Sequence, residues 1–96
     1  MEQTMIEQKQ IADERNRFWT VRYWLLACPA EEDGLVFGAA IDRCNEERLV
    51  EREEVPGLSR QKEDVLLFLE RLSRGDALPV ELMALADDYI SEREVG

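Results

Sequence analysis

Residues 17–28 (RFWTVRYWLLAC) constrain this chain more than any other stretch. They concentrate the β-formers Phe18, Trp19, Thr20, Val21, Tyr23 and Trp24. The odd positions, Trp19, Val21, Tyr23, Leu25 and Ala27, are apolar without interruption, whereas the even positions mix Phe18, Trp24 and Leu26 with Thr20, Arg22 and Cys28. A period of two makes this a strand with its odd face on the core. Pro29 ends it, because proline donates no ladder hydrogen bond. The even face still carries large apolar groups. Phe18, Trp24 and Leu26 are therefore the expected interaction surface, covered by the N-terminal segment or by a second subunit.

The acidic turn Glu31-Glu32-Asp33-Gly34 leads into a second strand over 35–44 (LVFGAAIDRC). An antiparallel register with paired numbers summing to 64 sets Tyr23 opposite Ile41 and Leu25 opposite Ala39. On the other face it sets Arg22 opposite Asp42 and Leu26 opposite Gly38. It joins apolar to apolar and opposite charge to opposite charge, and a sum of 62 is its competitor. Gly38 in mid-strand is read as room for a bulky neighbour such as Trp24 or Leu26, with a ligand backbone as the functional alternative.

The flanks read less cleanly. Met5, Ile6, Ile11 and Ala12 fit neither the helical nor the strand period, so 1–16 is either an edge strand (4–12) turning at Asp13-Glu14-Arg15-Asn16 or a frayed terminus. After a turn at Asn45-Glu46-Glu47, the charged stretch 48–55 is a third, edge strand, with a short helix as its competitor. Pro56-Gly57 marks the clearest internal boundary. Ser59 is the expected N-cap of a helix over 60–74, with Val65, Phe68, Leu69 and Leu72 on one face and Gly75 as its C-cap. Pro79 and Glu81 open a second helix carrying Leu82, Leu85, Ala86 and Tyr89, which should fade over 91–96. The expectation is one α+β domain over 1–96. Its sheet, over 17–55, is an antiparallel hairpin or meander of three or four strands, packed against a helical hairpin over 59–92.

Charge and composition narrow the function. Twenty-two acidic residues against twelve basic ones give a net charge of −10, which disfavours direct binding to nucleic acid or an anionic membrane. No stretch approaches the roughly 20 apolar residues of a membrane helix. Residues 1–15 carry Glu, Gln, Lys and Asp throughout, unlike a secretory leader, so a reducing cytoplasmic setting is expected. Cys28 and Cys44 then read as small hydrophobes. Histidine is absent, which removes the commonest general base and the commonest metal ligand.

No catalytic residue and no cofactor-binding residue emerges from this reading. Asp87, Asp88 and Glu92 are the densest late acidic group, and Asp88 and Glu92, four apart, share a helix face. They are weak candidates for Mg²⁺ or Ca²⁺, since two carboxylates alone make a poor site. Glu31-Glu32-Asp33 lacks the alternating oxygen spacing of a calcium loop, and no glycine pattern matches a phosphate loop.

Tyr23-Trp24-Leu25-Leu26, a short acidic turn and Phe37-Gly38-Ala39-Ala40-Ile41 resemble the N-terminal signature of a small uncharacterised family of Firmicutes proteins, domain of unknown function 6514. Stretch 65–72, Leu78-Pro79-Val80-Glu81-Leu82 and Asp87-Asp88-Tyr89-Ile90 resemble its C-terminal part. The resemblance spans 17–90. Phe37 and Ala39 depart from the Tyr and Ile that flank the family's glycine, and Glu81 stands where relatives carry a histidine. The resemblance implies a Gram-positive bacterial source and no established activity. The leading expectation is a small cytoplasmic interaction or regulatory domain with an unidentified protein partner or a homodimeric state. A binder of basic nucleic-acid-binding proteins, and a Mg²⁺-dependent enzyme or small-ligand binder built on the C-terminal carboxylates, are the alternatives.

Overall fold

The computed structural model describes residues 1–46 and 48–95. Four strands, β1 (Glu2–Ala12), β2 (Phe18–Pro29), β3 (Leu35–Asn45) and β4 (Arg48–Ser59), form one antiparallel meander in the order β1-β2-β3-β4. Two helices follow, α1 (Lys62–Arg74) and α2 (Leu82–Val95), the latter entered through a short 3-10 turn at Pro79–Glu81. The chain is α+β.

The β2–β3 register is the one whose paired numbers sum to 64, with Tyr23 opposite Ile41 and Arg22 opposite Asp42. The odd face of β2 takes the helices: Val21, Tyr23, Leu25, Ala39 and Ile41 pack with Val65, Phe68, Leu69, Leu72, Leu82 and Tyr89 in one buried cluster. Burial of those apolar side chains, roughly 1.5–3 kcal/mol each, is the main force holding sheet and helices together. Phe68 and Tyr89 join α1 to α2 with ring centroids 4.8 Å apart. Tyr23 donates from its hydroxyl to the Ala77 carbonyl at 2.8 Å, which satisfies the one polar atom of that ring in the core. Lys9 reaches from β1 to the Ser73 carbonyl (2.8 Å) and the Asp76 carboxylate (2.5 Å), tying the first strand to the end of α1.

Residues 2–12 form an ordered edge strand. Their apolar spacing fits no single period because a bulge at Ile6 breaks the alternation: Met5 pairs with Trp24 and Glu7 with Tyr23. The β1–β2 turn closes on Asp13, whose carboxylate accepts from the Arg15 and Arg17 amides and the Trp19 indole, with Asn16 at positive φ.

Four expectations need correction. Pro56-Gly57 is no boundary: β4 runs through it to Ser59, and 56–58 bulge from the β3 ladder between the pairs Ala39–Val55 and Phe37–Ser59. Proline is tolerated there because β4 is an edge strand. Ser59 therefore ends a strand, and Gln61 is the N-cap of α1; the Ser59 hydroxyl accepts from the Gln61 amide instead. Gly38 is not covered by Trp24 or Leu26. A Cβ there would collide with the β4 backbone at the Val55 and Pro56 carbonyls. Finally, α2 persists to Val95, because no proline or glycine interrupts the sequence of 82–95. The expected turn at Asn45-Glu46-Glu47 has Glu46 at positive φ, and Glu47 lies outside the described residues.

Candidate functional site

The helices occupy one side of the sheet, and the other side is built from the even positions of β2 and β3 with their cross-strand partners. Residues directly opposite one another share a face. The pairing therefore lays Arg22, Asp42 and Arg52 in a row across three strands, with Met5, Trp24, Ala40 and Glu54 in the next row.

Asp42 is the centre of this face. Its side chain is 1% exposed and accepts four hydrogen bonds: from Arg22 Nε (2.6 Å) and Nη2 (3.1 Å), Trp24 Nε1 (2.9 Å) and Arg52 Nη1 (3.0 Å). A buried carboxylate is stable only when its lone pairs are met in this way. The partnership also works in reverse: the Asp42 carboxylate raises the pKa of Arg22 above its ordinary value. Arg52 extends from β4 across the face to Gln3 on β1, 2.6 Å away, and also holds Glu54 at 3.0 Å. The two guanidinium carbons lie 5.3 Å (Arg22) and 5.7 Å (Arg52) from the Trp24 ring centroid, within cation–π range.

Of the three residues expected to form an interaction surface, Trp24 is half-buried at the centre and Phe18 is 65% exposed at one end. Leu26 has no exposed surface; it stands opposite Gly38, where the β4 backbone lies over the sheet. Met5 and Leu49 extend the apolar part of the face, and both are about half exposed. Leu49 borders a cleft of about 340 Å³ with Gln8, Thr20, Arg22 and Cys44. Sequence reasoning found the Arg22–Asp42 pair but missed Arg52, Met5 and Gln3. Their signal lies in the registers of β1 and β4, each displaced by bulges that no local pattern announces.

Cys28 and Cys44 are free and sit at opposite ends of β2–β3, opposite Val36 and Thr20. Asp88 and Glu92 border a second groove, of about 290 Å³, whose floor includes Phe68, Leu72, Leu85 and Tyr89. Glu92 lies 3.7 Å from Arg71. Asp87 is exposed. Among the described residues no three His, Cys, Asp or Glu side chains gather as a metal site would require. No described helix is long and apolar enough to cross a membrane.

Fold and face together define an acidic α+β domain whose four-stranded sheet carries helices on one side and an aspartate–arginine–tryptophan cluster on the other. The chain belongs to a family of unknown function (DUF6514), whose model matches residues 2–92. No curated protein and no solved structure matches it.

Proposed function

We propose that the chain is a non-catalytic protein-interaction or regulatory domain that meets its partner through the helix-free face of the sheet. The source is the Gram-positive bacterium that the family resemblance implies. One observation carries this reading: the charged groups of the face, with the Trp24 indole, are already bonded to one another around Asp42 and Arg52. Covering a charged face normally strands ions away from water at a cost of several kcal/mol per ion. Here Arg22, Arg52, Asp42 and the Trp24 indole keep their partners when water leaves. The face also has the make-up of an interface centre, with Trp, Met and Arg.

The test is capture of partners by tagged full-length protein, comparing wild type with Met5→Glu and Phe18→Glu on the face and Leu67→Glu on exposed α1 surface. A stoichiometric partner retained by Leu67→Glu, lost by both face variants and stable at high salt supports the proposal. A partner retained by both face variants overturns it. A partner released by salt alone moves the reading to an acidic binder of basic proteins, driven by the −10 charge.

A further inference from the structure

We infer that the occupant of the helix-free face is a second copy of this chain, packed sheet against sheet in an isologous dimer; this rests on the interaction-face reading above. Three observations select that occupant.

The first is charge. The strand positions of this face hold Arg22 and Arg52 against Asp42 and Glu54, two positive groups and two negative ones. The chain as a whole carries −10, so its excess negative charge lies elsewhere. A basic partner is drawn to that remainder, and a polyanion is repelled by it. A neutral face is best matched by another neutral face, and this chain supplies one of identical outline. Packed face to face, two copies hold their helices outermost.

The second is size. Four strands at about 4.8 Å spacing and about 35 Å in length present roughly 700 Å². A standard stable interface takes about 800 Å² from each partner. Leu26, Ala40 and Asp42 on this face are already buried and the β4 backbone lies over Gly38, so the open part of the face falls below that figure and suits a weak, reversible dimer.

The third is chemistry at the centre. Stacked sheets sit about 10 Å apart, a gap filled by side chains from both inner faces. Trp24, Met5 and Leu49 supply them, and the Asp42 network leaves no ion to be stranded in that gap. A two-fold axis through the face lets each copy give and receive the same contacts.

Sedimentation equilibrium of the full chain tests this, using wild type, Met5→Glu, Phe18→Glu and the Leu67→Glu control. Circular dichroism melts run alongside ensure that a lost dimer is not a lost fold. The expected result is a concentration-dependent monomer–dimer equilibrium that tightens several-fold between about 50 mM and about 500 mM NaCl, because salt screens the residual repulsion of two acidic chains. Both face variants should be monomeric where wild type and Leu67→Glu are dimeric, with melting curves close to wild type. Wild-type tryptophan emission, read without any mutation, should shift to the blue as the dimer forms and Trp24 leaves water. A wild type that stays monomeric overturns the second copy, while partner capture that depends on the face leaves the interaction reading intact. A dimer indifferent to both face variants overturns this inference together with that reading.

Discussion

Arg22 and Asp42 stand directly opposite each other on β2 and β3 and are joined by two hydrogen bonds, at 2.6 and 3.1 Å. The parallel fork fixes the register of the central strand pair, because a slip of one residue moves Asp42 to the helix-packed face with no cation opposite it. Arg52 completes the arrangement from the third strand. Asp42→Ala removes the acceptor of four bonds and leaves two guanidiniums and an indole facing each other. Its cost should be about 3 kcal/mol, at the low end for a broken buried pair because both arginines still reach water. Arg52→Ala should cost about 1 kcal/mol, since Arg22 and Trp24 still hold the carboxylate. Urea unfolding midpoints of the two variants measure the difference.

Gly38→Ala should be among the most damaging single-carbon additions in the chain. The added methyl falls on the β4 backbone at Val55 and Pro56, which no side-chain rotation can clear. A loss of about 3 kcal/mol is expected. Gly57→Ala, with nothing near its Cβ, should stay within about 0.5 kcal/mol of wild type, an ordinary value for a surface change. Parallel melts of the two variants test the close approach of β4.

Burial, reinforced by the nearby carboxylates of Asp76, Glu81 and Glu7, pushes the Tyr23 hydroxyl from an ordinary value of 10.0 to about 12. The folded state therefore holds this proton more tightly than the unfolded one. Its contribution to stability is intact below pH 10 and drains away as pH rises toward 12. Tyr23→Phe should lose about 1 kcal/mol at neutral pH, where the Ala77 carbonyl loses its donor, and should show a flatter decline above pH 10. Melting temperature against pH, with tyrosinate absorbance as a second channel, checks both parts.

Asp13 titrates in the opposite sense. The Trp19 indole first, then the Arg17 amide, hold its carboxylate far below the ordinary 3.8. The unfolded chain thus takes up the proton first as pH falls. The stability from Asp13 is complete above about pH 4 and declines below it. Asp13→Asn should reduce the acid sensitivity of the melting temperature between about pH 2 and pH 5. An unchanged acid limb would place the sensitivity in other carboxylates.

Much of the fold is legible locally, and the exceptions share a cause. β2 and β3 are readable to within one residue at each end, and one charge pair favours the register summing to 64 over its competitor. α1 and α2 were readable from their apolar spacing. β1 was legible only as one of two alternatives, edge strand or frayed terminus, and the far half of β4 was not legible, because Ile6, Val50 and 56–58 are bulged and break the period that sequence patterns rely on. The site followed the same division. Trp24, Phe18 and the Arg22–Asp42 pair lie on regular strands, whereas Arg52, Gln3 and Met5 come to the face only through those displaced edges. Leu26 marks a further boundary: its position on the face was readable, and its burial beside the β4 crossing depends on long-range packing.

The chain carries its own probe of whether the helix-free face is occupied. Met5 lies on it, 47% exposed, and Met83 lies on α2, 53% exposed. In dilute purified protein the two thioethers should oxidise at similar rates under brief hydroxyl-radical exposure. In cells producing the protein at native level, an occupied sheet face shields Met5 and leaves Met83 open, so the ratio of Met5 to Met83 sulfoxide should fall at least several-fold. A ratio in cells equal to that in dilute solution would mean that the helix-free face stays bare, and would remove the basis for an interaction there.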